Sequence, residues 1–151
     1  MKVRKQSREE GVQLAEMAIV LPVFLALLAA IAEFGNYFNY YTTLAKATRA
    51  GARYISSKPY TTGEMDKAKN LMICGVMSGC GGSTPILPGF SASNIQITSA
   101  GGAAFLPNTV TVSIINYNYS SIFNLSKIAN TSSWTAIPVK PSTTMRYLLE
   151  N

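Results

Sequence analysis

The pattern of apolar and polar positions divides the chain into an apolar first part and a more mixed remainder. From Val12 to Ala32 the only charged residue is Glu16. A helix of this length extends about 30 Å, which is the thickness of the hydrocarbon core of a bilayer. We therefore predict a transmembrane helix over residues 12–36, continuing as one long helix to about residue 56. Pro22 lies inside the apolar run, where a kink or a local loosening of the helix is expected.

The second half of the predicted helix has an amphipathic pattern. Apolar residues recur there at three- and four-residue steps, and the basic residues fall on other faces: Lys46, Arg49 and Arg53. The apolar side needs a partner surface, and the small residues Ala47 and Gly51 would allow a sheet or a second helix to approach closely. Five aromatic residues between positions 34 and 41 are typical of a membrane boundary, so the helix is expected to leave the bilayer there.

The remainder of the chain predicts one short helix and a small sheet. Thr61 and Glu64 match a capping box, which would open a helix from about Gly63 to Met77. Alternating apolar and hydroxyl residues predict strands. The expected strands are residues 95–97, 109–119, 134–139 and 142–148. The predicted fold class is α+β, with the long helix packed against a small antiparallel sheet and one short extra helix.

Charge predicts how the chain is oriented in a membrane. The 151 residues carry a net charge of +6, and a basic cluster precedes the apolar run: Lys2, Arg4, Lys5 and Arg8. By the positive-inside rule the amino end stays in the cytoplasm, and everything after about residue 37 is exported. Residues 1–11 are polar without periodicity and are expected to carry no fold. The remaining positive surplus is scattered, so nucleic-acid binding is not expected.

Side chains that support catalysis are scarce. The chain has no histidine, and its only cysteines are Cys74 and Cys80. In an oxidising exported compartment these two are expected to form a disulfide, whereas two thiols without an imidazole are not expected to bind a metal. Glu64 and Asp66 lie two residues apart, on different faces of the predicted helix, and make a poor acid–base pair. We predict neither an enzyme nor a bound cofactor.

Glu16 is the candidate functional residue of the apolar run. A carboxylate inside a membrane helix is costly and usually marks a function. Because helix ends near the headgroups tolerate charge, an uncleaved signal anchor with Glu16 at the interface is an alternative interpretation. A cleaved secretory signal ending near residues 29–32 is another, although its apolar core would be unusually long.

The first residues resemble a type IV prepilin leader, in which a basic stretch and a glycine precede an apolar helix with a glutamate. This resemblance implies cleavage after Gly11, a new amino terminus at Val12, and Glu16 as the fifth mature residue, with a role in assembly. An ammonium on Val12 would then lie one helical turn from Glu16. The two charges would neutralise each other, within one subunit or between neighbours.

A tighter resemblance covers roughly the first third of the chain. This part of the chain is similar to the TadE-like pseudopilins of the tight-adherence, or Flp pilus, systems. The resemblance is carried by these successions of residues: Ala15-Glu16-Met17-Ala18 to Leu21-Pro22-Val23-Phe24, Glu33-Phe34-Gly35, and Ala50-Gly51-Ala52-Arg53-Tyr54. Residues 141–147 also resemble the last strand of that family. The Gly-Val at positions 11 and 12 departs mildly from the Gly-Gln or Gly-Ser that is common there.

The resemblance implies a leader over residues 1–11, a transmembrane helix over 12–36 and a periplasmic pilin-like domain over 37–151. It implies a minor pilin or pseudopilin of the inner membrane that is matured by a prepilin peptidase, helps to assemble a Flp type IV pilus, and supports adhesion and biofilm formation. The implied partners are other pilins, inner-membrane assembly proteins and the membrane. The alternative is an uncleaved, signal-anchored binding or adhesin module.

Overall fold

The fold is α+β, as the sequence predicts. The computed structural model describes residues 3–103, 105–123 and 137–149. Within these residues, two α-helices come first, and five strands follow after a short 3₁₀ turn at Ala92–Asn94. In chain order they are α1 (Val3–Ser56), α2 (Thr62–Cys74), β1 (Ile95–Ala103), β2 (Leu106–Ile114), β3 (Asn118–Tyr119), β4 (Ile137–Pro138) and β5 (Ser142–Arg146).

Helix α1 is a single element of 54 residues that starts earlier than the sequence pattern indicates. Residues 1–11 were expected to carry no fold, but the helix begins at Val3. The physical reason is that this segment consists mainly of Lys, Arg, Gln and Glu, which are good helix formers, and it contains no proline. The helix also continues through Pro22 without a break. By its internal contacts the chain divides into two compact units, Met1–Asn36 and Tyr37–Asn151.

The main sheet has three antiparallel strands in the order β1-β2-β5, so β2 is central. Val110, Val112 and Ile114 of β2 are buried, while the hydroxyl residues between them are half exposed, which confirms the predicted alternation. Strand β1 runs to Ala103, well beyond the three residues expected. Its outer part has no apolar alternation because these side chains are exposed, and its pairing rests on backbone hydrogen bonds to β2.

The predicted strand over residues 109–119 is wrong in its second half. Strand β2 ends at Ile114, and Asn116 has a φ of 51°, a left-handed conformation that breaks an extended strand. The chain then enters β3, which pairs with β4 in a separate two-stranded sheet. The predicted strand over 134–139 is described only from residue 137 onward, because residues 134–136 lie outside the described part of the chain.

The second half of α1 packs against the sheet, as predicted. Leu44, Ala47 and Ala52 of the helix share one buried cluster with Val112 and Ile114 of β2. A polar contact reinforces this packing, because the hydroxyls of Thr48 on α1 and Thr143 on β5 lie 3.1 Å apart. The amphipathic pattern therefore correctly predicts which face of the helix packs on the sheet.

Helix α2 starts within one residue of its predicted position, but its cap and its carboxyl end differ from the prediction. Thr61 is the residue before the helix, but its side chain makes no capping hydrogen bond, so the predicted capping box is wrong. The helix ends at Cys74 rather than Met77 because Gly75 adopts a left-handed conformation with a φ of 74°. Directly after this end, a disulfide joins Cys74 to Cys80, with Cα atoms 5.5 Å apart.

Gly51 of α1 packs closely against Met72 of α2. A Cβ atom placed on this buried glycine would collide with the side chain of Met72, at 2.8 Å from its Cγ atom. Met72 is itself 1 % exposed, so little free space remains around it. The expectation that a small residue here allows a second element to come close is confirmed.

Enlarging Gly51 should therefore destabilise the fold. We expect Gly51→Leu to lower the free energy of unfolding by about 1–3 kcal/mol, the usual cost of overpacking a core. Urea unfolding of the detergent-solubilised protein measures this change. Ala50→Leu is the matched control, because residue 50 lies next to it on the same helix but is exposed. Equal stabilities of the two variants would contradict the close packing of Gly51 on Met72.

Candidate functional site

The first half of α1 presents an exposed apolar surface. From Gly11 onward the helix is long and apolar enough to span a membrane. No residue of its most apolar 18-residue stretch is buried within the protein. Large side chains along it are about half to three-quarters exposed: Leu14, Met17, Ile19, Val23, Phe24, Leu27 and Ile31. Such a continuous apolar surface requires lipid or other apolar helices around it. The helix is therefore a candidate membrane anchor.

The predicted processing and assembly residues lie near the start of this surface. Gly11, Val12 and Glu16 are all on α1 and all exposed. The four-residue step between Val12 and Glu16 places them on one helix face, about one turn apart. A Cβ atom added to Gly11 would meet nothing within 4 Å. The geometry leaves these positions accessible, while cleavage after Gly11 and the assembly role of Glu16 stay predictions.

The aromatic residues between positions 34 and 41 divide into two groups. Phe34, Phe38 and Tyr41 are exposed, as residues of a membrane boundary would be. Tyr37 and Tyr40 instead pack edge-on against the buried ring of Tyr119, with ring centroids 5.5 and 5.0 Å apart. The belt of five aromatics predicted from the sequence is thus reduced to three exposed members. The other two belong to the core of the second unit.

The carboxylate of Glu64 joins α2 to the end of α1. The Tyr54 hydroxyl donates to Glu64 Oε2 at 2.6 Å, and Lys67 Nζ donates to Glu64 Oε1 at 2.7 Å. These two hydrogen bonds, that from Lys67 first, lower the pKa of Glu64. The same bonds raise the pKa values of Tyr54 and Lys67. Glu64 therefore serves as a structural link between the two helices.

A groove of about 590 Å³ opens beside this link. Ala50, Leu71 and Met145 contribute apolar surface, while Arg49 and Arg53 supply positive charge. Tyr54 and Ser57 complete the lining. Sequence reasoning did not find this groove, because α1, α2 and β5 each contribute to it from distant parts of the chain. Among the described residues, no group of three or more His, Cys, Asp or Glu side chains is arranged to hold a metal.

Comparison with known protein families gives a match in the first part of the chain. Residues 11–53 match the family model described as TadE-like protein, which confirms the resemblance stated for the first third of the chain. The matched region starts at the predicted cleavage position and ends within the second half of α1. No curated protein and no solved structure matches this chain. The similarity to residues 141–147 lies outside the matched region.

The Glu64 link predicts an acid-sensitive contribution to stability. Since the pKa of Glu64 lies below its ordinary value of 4.5, the contribution is complete above pH 4.5 and is lost as the pH falls through the lowered pKa. Wild type should unfold at a higher temperature than Glu64→Gln at pH 7, and the gap should shrink below pH 4.5. Thermal unfolding across this pH range checks it.

Asp66→Asn is the matched control for Glu64→Gln. Its carboxylate side chain is 70 % exposed and lies 3.4 Å from Lys69 Nζ. Exposed ion pairs of this kind contribute little, so the variant should unfold close to wild type at every pH. A gap between wild type and Glu64→Gln that is the same at pH 7 and pH 3 would contradict the role of the ionised carboxylate.

Proposed function

We propose that this protein, whose residues 11–53 match the TadE-like family, is a minor pilin or pseudopilin that takes part in assembling a Flp (Tad) type IV pilus. The family connects the chain with the Tad pilus as a structural component rather than an enzyme. The single observation that carries the proposal is the exposed apolar half of α1, which lies within the matched region.

An exposed apolar helix suits a subunit that changes its surroundings during assembly. Before assembly the surface between Gly11 and Phe34 is covered by lipid tails, and afterwards by the apolar helices of neighbouring subunits. Helix association in such an environment depends on packing and interhelical polar contacts, because lipid and leucine are about equally apolar. The same face therefore serves as the membrane anchor first and as the assembly surface later.

Glu16 supports this proposal because its charge needs a partner at an apolar depth. The amino group created on Val12 by cleavage supplies that partner, either in the same subunit or in the next one. The pair contributes little net stability after the cost of desolvation, but it fixes the axial register between helices. The prepilin peptidase that cuts after Gly11 is thus part of the proposed maturation.

The proposed location follows from the basic residues before the apolar run. The amino end lies in the cytoplasm, α1 crosses the inner membrane once, and the unit from Tyr37 to Asn151 is periplasmic. The protein would work with other pilins and with assembly proteins of the inner membrane. Entry into the extracellular pilus, adhesion and biofilm formation belong to the same proposal.

Replacing Glu16 tests the proposal. We expect Glu16→Ala to insert into the membrane at wild-type levels, because removing a charge makes the helix more apolar. Co-isolation with other pilus subunits and surface piliation should fall at least tenfold. Glu16→Gln should behave in the same way, since it keeps the size of the side chain and removes its charge. Normal piliation with both variants would contradict the assembly role.

A further inference from the structure

The second half of α1 carries a stripe of three basic residues. Lys46, Arg49 and Arg53 are separated by three and four residues, so they lie along one side of the helix, and all three are exposed. Among the described residues, none of the three has a carboxylate within ion-pair distance. The stripe therefore presents positive charge that the described part of the chain does not neutralise.

Two members of the stripe border the groove between α1, α2 and β5. Arg49 and Arg53 are among its lining residues, together with the apolar side chains of Ala50, Leu71 and Met145. Its volume of about 590 Å³ falls in the range of protein binding pockets, about 300–1,000 Å³. A concave apolar surface beside two guanidinium groups fits a segment that has both apolar side chains and carboxylates.

The charge balance shows that a second copy of this chain is a poor source of those carboxylates. Residues 37–151 include nine basic residues and only three acidic ones. The two carboxylates that the structure describes in this unit are already bound, Glu64 to Lys67 and Asp66 to Lys69. Two copies would therefore bring mainly positive charge to each other. A different, acidic chain fits the charge of this surface better than a second copy does.

We propose that this groove is the docking site for an acidic, amphipathic segment of another subunit of the assembly. The apolar side chains of that segment cover Leu71 and Met145, and its carboxylates bind Arg49 and Arg53. The arginine guanidinium binds a carboxylate through two parallel hydrogen bonds, a geometry that lysine does not offer. This inference rests on the proposed function, because it names the surface through which a pilus subunit meets a partner.

Site-specific photocrosslinking in the full-length protein tests this docking site. Ala50 is exposed inside the groove, so the photoreactive residue p-benzoylphenylalanine replaces it in one strain. In a control strain it replaces Gln96, which is exposed on β1 and does not line the groove. After irradiation of host membranes, we expect the position-50 probe to join one subunit through a peptide that contains carboxylates. The position-96 probe should not yield that product.

Charge reversal shows whether the arginines hold the partner. Arg53→Glu should lower the yield of the position-50 crosslink at least tenfold, and exchanging an acidic residue of the crosslinked peptide for arginine should restore it. Lys140→Glu makes the same charge change at an exposed residue that does not line the groove, and it should leave the yield unchanged. Because the contact is ionic, rising salt should weaken it.

Several outcomes would overturn the docking site. One is that the position-50 probe gives no product, or a product with lipid, with a second copy of this chain or with a peptide that lacks carboxylates. Another is that Arg53→Glu and Lys140→Glu give equal yields of the position-50 crosslink. Measuring amino-terminal processing and the Glu16 dependence of piliation in the same strains separates the two proposals. If both are normal and the groove gives no acidic partner, the docking site fails while the pilin function stands.

Discussion

The burial of one face of α1 against the central strand is the contact on which the second unit depends. Leu44 and Ala52 of the helix are fully buried, and so are Val110 and Val112 of β2. Burying one such valine or leucine side chain contributes about 1.5–3 kcal/mol relative to leaving it exposed. Because β1 and β5 both pair with β2, this contact positions the centre of the three-stranded sheet on the helix, and the Thr48–Thr143 contact adds β5 directly. The backbone hydrogen bond from Leu148 to Ser56 ties the chain beyond β5 to the end of the helix.

The same helix has the opposite property in its first half. Between Gly11 and Phe34 its large apolar side chains are exposed, so their burial depends on lipid or on other subunits. One continuous helix thus has two different parts. The apolar face of its second half is buried within the protein, whereas the apolar side chains of its first half need lipid or other subunits to cover them. The family match, residues 11–53, lies within this helix. The proposed assembly residue, Glu16, lies in the half whose apolar side chains are exposed.

Features that depend on local periodicity were predictable from the sequence. The amphipathic steps after residue 43, the alternation in β2 and the apolar run before Phe34 each identify an element and its buried or exposed face. Features that depend on contacts between distant residues were not. The hydroxyl of Tyr54 donates a hydrogen bond to the Glu64 side chain, which a capping box would have used. Two tyrosines of the predicted aromatic belt pack against the ring of Tyr119 instead of facing the membrane boundary. The left-handed conformation of Asn116 prevents β2 from continuing to residue 119. The groove is lined by residues of α1, α2 and β5, which are far apart in the sequence.

The intact mass and the amino-terminal sequence of the membrane-bound protein test the central claim most directly, when they are measured in cells with and without their prepilin peptidase. A pilin-class subunit predicts a chain that begins at Val12 when the peptidase is present and at Met1 when it is absent. A chain that begins at Met1 in both kinds of cell would contradict this function. It would instead identify α1 as a permanent anchor for an exported binding domain.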